Sequence, residues 1–111
     1  LERFATFCAL DETWRPRGCG WWPEWPTELR DPHAPAVAAF RAEHAEAVDF
    51  HRWCQFELDR QLAAAAVHAR ALGLPIGLYQ DLAIGASPAG SDAWGEPDLF
   101  VRGVSVGAPP D

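Results

Sequence analysis

The sequence predicts an α/β fold that is mostly helical and contains one strand. Residues 1–13 and 35–72 carry apolar side chains at helical spacing. A glycine and a proline end the second stretch, and the short apolar run 76–79 follows at once. Because a helix followed by a buried strand is the repeat unit of parallel α/β folds, this order of elements predicts that class.

The first predicted helix, residues 1–13, is followed by an ordered loop at 14–35. Phe4, Phe7 and Cys8 fall on one side of the helix. Prolines and glycines in the loop remove amide donors too often for a helix to continue. The loop also carries tryptophans whose apolar surface must be covered, so packing is favoured over sugar stacking and over a flexible linker. These are Trp14, Trp21, Trp22 and Trp25.

A second helical region is predicted from about Pro35 to Leu72. Asp31 or His33 is expected to open it, with Pro35 in the first turn, where the missing amide hydrogen costs nothing. Its apolar residues recur at steps of three and four, which predicts one long helix or two abutting helices with a break near 44–47. The predicted apolar face comprises Phe50, Trp53, Cys54, Leu58, Ala65, Ala69 and Leu72.

The predicted strand lies just after this helix. Gly73 is placed to end the helix in a left-handed conformation, and Pro75 prevents the helix from resuming. The run 76–79 is typical of a strand that is buried on both faces. Asp81 follows it at the expected carboxyl end, where parallel α/β folds place ligands. Asp81 is therefore a candidate binding residue, and a solvated turn-capping role is the alternative.

Composition excludes several classes of function. The net charge is −7, and the nine basic residues are dispersed arginines, so a nucleic-acid partner is not expected. No apolar stretch approaches the ~20 residues that span a bilayer, so no membrane association is expected. Cys8, Cys19 and Cys54 suit free thiols in a reducing compartment, and the expected localisation is cytoplasmic. The absence of methionine and the first residue, Leu1, predict an excised or processed fragment.

Neither a metal site nor a common catalytic motif is predicted. His51 and Cys54 could share a helix face, but two ligands do not complete a structural zinc site. The sequence has no phosphate-binding glycine loop, no G-x-S-x-G and no H-E-x-x-H. Serine hydrolysis, zinc hydrolysis and phosphate binding therefore have no support in the sequence.

Several segments together resemble the 4-alpha-glucanotransferases, which are also called amylomaltases or maltodextrin-disproportionating enzymes. The resemblance covers essentially the whole chain, and its C-terminal part is the more specific. The segments that carry it are 77–85, Asp92-Ala93-Trp94, Pro97, Leu99-Phe100 and 105–111, with 22–31, 50–55 and 61–65 upstream.

The resemblance implies a (β/α)8 barrel with helical insertions, of which this chain would form a single partial domain. Residues 1–72 would be the helical portion, and 73–111 the one early barrel strand and its following loops. The family transfers α-1,4-glucan segments between maltodextrins by a retaining mechanism, without a metal or an organic cofactor. The expected partners are therefore maltodextrins and other α-1,4-glucans, in cytoplasmic maltodextrin or glycogen metabolism.

The resemblance also assigns roles to residues. The family's catalytic carboxylates belong to motifs downstream of Asp111, so no catalytic residue is expected in this chain, and the chain alone is expected to be inactive. Asp81 is expected on the rim that faces the sugar, and Asp111 at the start of a loop on the acceptor side, both binding substrate. The alternative is a self-standing helical interaction module, which leaves the pattern at 81–111 unexplained. The sequence predicts no oligomeric state.

Overall fold

The computed structural model describes residues 1–81, 85–101 and 103, and helices dominate this part of the chain. The first predicted helix is confirmed by an α-helix at Glu2–Trp14. The ordered loop is also confirmed, because short 3-10 helices occupy Arg15–Arg17, Trp22–Glu24 and Thr27–Leu29. We call residues 15–34, which follow the first helix, the Trp-Pro loop. The α-helices of the described part are α1 (Glu2–Trp14), α2 (Pro35–Glu43), α3 (Ala45–Ala71) and α4 (Ser91–Gly95).

The second helical region consists of two abutting helices. Ala34 is the N-cap of α2 and Pro35 is its first residue, whereas Asp31 accepts a hydrogen bond from the His33 amide at 2.8 Å and so caps the preceding turn. Neither Asp31 nor His33 therefore opens the helix. His44 separates α2 from α3 with φ −111° and ψ 35°, and its ring stacks on Phe40 at a centroid distance of 4.0 Å.

The C-terminus of α3 confirms the predicted glycine cap. Gly73 has φ +80°, a conformation that glycine adopts without the strain of a Cβ atom. Its amide donates to the Arg70 carbonyl at 3.0 Å, and the Leu74 amide donates to the Ala69 carbonyl at 3.1 Å. These two bonds form a Schellman motif, which satisfies carbonyls that the helix would otherwise leave unpaired.

Aromatic side chains from three elements form the centre of the core. The ring centroid of Phe7, on α1, lies 5.4 Å from Trp25 of the Trp-Pro loop and 5.8 Å from Trp94 of α4. Trp25 and Trp94 are 6.3 Å apart and meet edge to face, an arrangement that aromatic quadrupoles favour. We call these three residues the aromatic triad. It joins α4 to the first third of the chain.

The prediction of an α/β class with one early barrel strand is wrong for the described residues, in which no strand forms. Ile76 and Tyr79 of the expected strand are 85% and 93% exposed. The physical reason is that a strand needs a neighbour for its backbone hydrogen bonds, and none is described. A local turn forms instead, in which the Gly77 amide donates to the Leu74 carbonyl at 3.3 Å and Gly77 has φ +76°.

The predicted apolar face of α3 is mostly exposed, and of its residues Ala69 is buried. Phe50, Trp53 and Leu58 are more than half exposed. The buried residues of α3 are Val48 and Ala69, and His51 is partly buried beside α1. Hydrophobic spacing predicted the helix, but it did not predict which side of the helix packs against α1.

Candidate functional site

Asp81 follows the exposed residues 78–80 and lies, in sequence, between two anchored parts of the chain. Asp81 is exposed, and its carboxylate makes no hydrogen bond or ion pair with the described residues. On the N-terminal side, the Schellman motif at Gly73 holds the chain to the end of α3. An unpaired, solvated carboxylate at such a position is free to accept hydrogen bonds from a polar ligand.

The chain after Asp81 is anchored to the Trp-Pro loop by two indole groups. Trp22 Nε1 donates to the Pro88 carbonyl at 2.9 Å. Trp94 Nε1 donates to the Leu29 carbonyl at 3.0 Å, and both atoms of this bond are buried. Because each bond joins residues about 65 positions apart in sequence, they fix where the chain returns after the Asp81 segment.

Arg3 makes a third attachment, between α1 and the C-terminal end of α4. Its Nη1 donates to the Gly95 carbonyl at 3.0 Å and also pairs with the Glu96 carboxylate. Both side chains are about half exposed, so this ion pair contributes little to stability and mainly sets orientation. No sequence pattern distinguished Arg3 or Trp22 as an anchor, because their partners are backbone carbonyls or lie far away in sequence.

The tryptophans are mostly packing residues, as the sequence predicted. Trp25 and Trp94 are 0% and 1% exposed, and Trp22 is also buried, so their ring faces are covered by protein. Trp21 is about half exposed, and Trp14 is partly buried with the Arg17 guanidinium 4.8 Å above its ring. The buried rings cannot stack on a sugar, and the indoles of Trp22 and Trp94 hold the chain that follows Asp81.

A polar cluster joins α1 to α2 and α3. Glu2 pairs with Arg41 of α2 and lies 3.5 Å from Arg52 of α3. On the same helix, Glu12 Oε2 lies 3.2 Å from His51 Nε2, a contact that becomes an ion pair when the imidazole is protonated. These contacts orient α3 against α1, which is a structural role.

Cys8 lies in an environment that suppresses thiol chemistry. Partial burial raises the pKa of the Cys8 thiol, and the negative charges of Glu12 and Asp11 raise it further. Thiolate is the nucleophilic form, so a raised pKa makes Cys8 a weak nucleophile at neutral pH. Cys8, Cys19 and Cys54 are all free thiols.

Two further kinds of site have no support in the described residues. No group of three or more His, Cys, Asp and Glu side chains is placed to hold a metal ion, and His51 and Cys54 belong to no such group. Within the same residues, no helix has the length and apolar character needed to cross a bilayer. Asp111, the other predicted substrate-binding residue, lies outside the described residues.

The family of the chain is identified by sequence similarity, because the local geometry alone does not identify it. A family model described as 4-alpha-glucanotransferase matches residues 1–111. The chain therefore belongs to the 4-alpha-glucanotransferase family.

Individual relatives agree with this assignment. The chain is 50% identical over its full length to a 4-alpha-glucanotransferase of Mycobacterium tuberculosis, and it covers 15% of that protein. It is 34% identical to the Haemophilus influenzae 4-alpha-glucanotransferase over 81% of the chain and 13% of the relative. The Thermus thermophilus 4-alpha-glucanotransferase is 32% identical over the whole chain, which covers 22% of that relative. The chain thus spans less than a quarter of the length of each of these proteins.

Proposed function

We propose that this chain is part of a 4-alpha-glucanotransferase that transfers α-1,4-glucan segments between maltodextrins in the cytoplasm. The observation that carries the proposal is the family match over residues 1–111, together with 50% identity to the mycobacterial relative. The interaction-module alternative explains none of this similarity.

The proposed chemistry is a retaining double displacement. A carboxylate attacks the anomeric carbon, while a carboxylic acid protonates the leaving glycosidic oxygen. A sugar hydroxyl of the acceptor then attacks the glycosyl-enzyme intermediate, and the same acid/base group takes up the hydroxyl proton. The proposal places these carboxylates downstream of Asp111, so the described residues contribute substrate binding and no bond-making group.

Asp81 is the proposed substrate-binding residue among the described residues. Its exposed carboxylate can accept hydrogen bonds from sugar hydroxyls, and such charge-assisted bonds are worth about 1.5–3 kcal/mol. The anchors at Gly73 and Pro88, one on either side in sequence, limit the positions that the segment can take. Asp111 is proposed in the same role on the resemblance alone.

The test uses the complete product of the reading frame that encodes this chain, which we call the intact product. Incubated with maltotriose, it should release glucose and longer maltodextrins. Asp81→Asn keeps the shape but removes the charge, and we expect it to lower kcat/KM by about 10-fold to 100-fold. Asp59→Asn, an exposed carboxylate change on α3, is the matched control and should leave the rate unchanged.

Two outcomes would contradict the proposal, and they bear on different parts of it. An intact product that is inert on maltotriose and longer maltodextrins would overturn the transferase function. An active product in which Asp81→Asn and Asp59→Asn behave alike would remove Asp81 from the binding site and leave the transferase function standing.

A further inference from the structure

Helix α3 carries a second apolar face that no described residue covers. Phe50, Trp53, Phe56 and Val67 are 54%, 58%, 62% and 64% exposed. At about 100° per residue these positions fall in one sector of about 120°, roughly opposite the side on which Ala69 is buried. We call this sector the outer face of α3; it also contains the small residues Ala64 and Ala71 and the ion pair Glu57 and Arg60.

The side chains of the outer face are already organised as in a packing surface. The rings of Phe50 and Trp53 stack at a centroid distance of 6.3 Å. Ala64 and Ala71 leave room for another backbone to approach the helix closely, while Trp53 and Phe56 supply large apolar area at its N-terminal half. An apolar sector of this size on a helix is typical of a surface that contacts protein.

Two charged residues at the middle of the outer face, Glu57 and Arg60, are paired with each other. Arg60 donates from Nε and Nη2 to Glu57 Oε2 at 3.0 and 2.7 Å. The hydrogen bonds from Arg60 are also the main reason that the pKa of Glu57 lies below its usual value. Where Glu57 and Arg60 lie, a covering surface would therefore meet a neutral pair rather than a single charge, and this lowers the cost of removing that part of the face from water.

The radius of gyration is larger than that of a compact domain with the same number of residues. This also indicates that α3 packs against something further. The radius of gyration is 17.6 Å, whereas a compact domain of this length has about 13 Å. Helix α3, at about 1.5 Å per residue, is roughly 40 Å long, and its buried residues are Val48 and Ala69. A helix that is apolar on two opposite sides normally lies inside a larger protein.

We infer that the outer face of α3 packs against further parts of the same polypeptide. The occupant is argued from length, because the chain covers 15% of its mycobacterial relative and 22% of its Thermus relative. The inference rests on the proposed function in one respect: the covering segments are those of the glucanotransferase. It makes α3 a two-sided helix, with α1 on one side and the remainder of the enzyme on the other.

Hydroxyl-radical footprinting of the intact product tests this directly, because oxidation of Trp53 and Phe56 reports their exposure to solvent. Each rate is divided by the rate for the same residue in the urea-unfolded intact product. Coverage predicts ratios below about one tenth for both residues, as expected for buried side chains. Ratios near the exposed fractions of 58% and 62% would overturn the inference.

The footprint is measured at several protein concentrations and with and without maltoheptaose. Protection that is lost on dilution, with a dimer mass by light scattering, would assign the face to a second copy and overturn the inference. Protection that requires maltoheptaose would assign it to glucan and also overturn it. Because no outcome depends on catalysis, an inactive product with a protected face would sink the proposed function and keep this inference.

A pair of lysine substitutions provides an independent check. Trp53→Lys would place a charge inside the contact, whereas Asp59→Lys adds a lysine at an exposed position outside the outer face. We expect Trp53→Lys to raise the rate of limited proteolysis within α3 by more than about tenfold, since an unpaired buried charge costs several kcal/mol. Asp59→Lys should change that rate less than about twofold. Equal effects of the two substitutions would overturn the inference.

Discussion

Trp94→Ala is expected to release α4 from the rest of the molecule. Trp94 is 1% exposed, contacts Phe7 and Trp25 in the aromatic triad, and donates to the Leu29 carbonyl. Truncation of a buried tryptophan costs about 3–5 kcal/mol, which includes the lost contacts and the cavity. The carbonyl of Leu29 also loses its donor, so we expect a value in the upper half of that range.

The assay is amide hydrogen exchange of the intact product, read from peptides that contain α4. The amides of Trp94 and Glu96 donate to Gly90 and Asp92, so they report the opening of this helix. A loss of about 4 kcal/mol lowers their protection by about 1000-fold, provided that α4 opens by a local route. Truncation of the half-exposed Trp21 is the control and should change the protection less than about tenfold.

Trp94→Phe separates packing from hydrogen bonding, because it keeps an aromatic ring but removes the indole donor. We expect an intermediate loss of about 1–3 kcal/mol. The reasoning would be refuted if Trp94→Ala and Trp21→Ala reduced the protection of α4 by the same factor. That result would mean that the aromatic triad and the bond to Leu29 do not hold α4.

The remaining predictions concern the helix cap and a thiol. Gly73→Ala is expected to lower the free energy of unfolding by about 1–2 kcal/mol, which urea unfolding measures. An added Cβ would contact no other atom, so the whole cost comes from holding alanine at φ +80°. Gly20→Ala, at an open position without positive φ, should be neutral or slightly stabilising. The rate of Cys8 alkylation, measured by peptide mass spectrometry, should increase with pH. The increase should occur at higher pH than for a cysteine in an unstructured peptide. Glu12→Gln should move that increase to lower pH, because Glu12 raises the pKa of the Cys8 thiol; an unmoved profile would leave burial and Asp11 as the causes.

The features that were predicted correctly depend on residues close together in the chain. Pro35 begins α2 because its fixed φ and missing amide suit the first turn. Gly73 ends α3 because the left-handed cap requires only the residue and its neighbours. The break at His44 lies within the range expected for two abutting helices. Each of these signals acts within about one helical turn, so no knowledge of the tertiary fold was needed.

The candidate site was predicted only in part. The sequence marked Asp81, and the structure places it after the exposed residues 78–80 and, in sequence, between two anchored parts of the chain. It did not mark the anchors, because Trp22 and Arg3 bind backbone carbonyls that any residue could supply. The role of Asp81 in substrate binding stays a prediction until the Asp81→Asn measurement.

The sequence by itself determined the helical regions, the start of α2 at Pro35, the end of α3 before Gly73, and the family. It determined these because helical spacing, glycine and proline conformations, and the match over residues 1–111 are all properties of the linear chain. The tertiary structure decided which face of α3 is buried, how Trp94 reaches Leu29, and that the chain turns at 74–77 and forms no strand at 76–79. These outcomes depend on partners that are distant in sequence, and an apolar run such as 76–79 becomes a strand only where another strand supplies its hydrogen bonds.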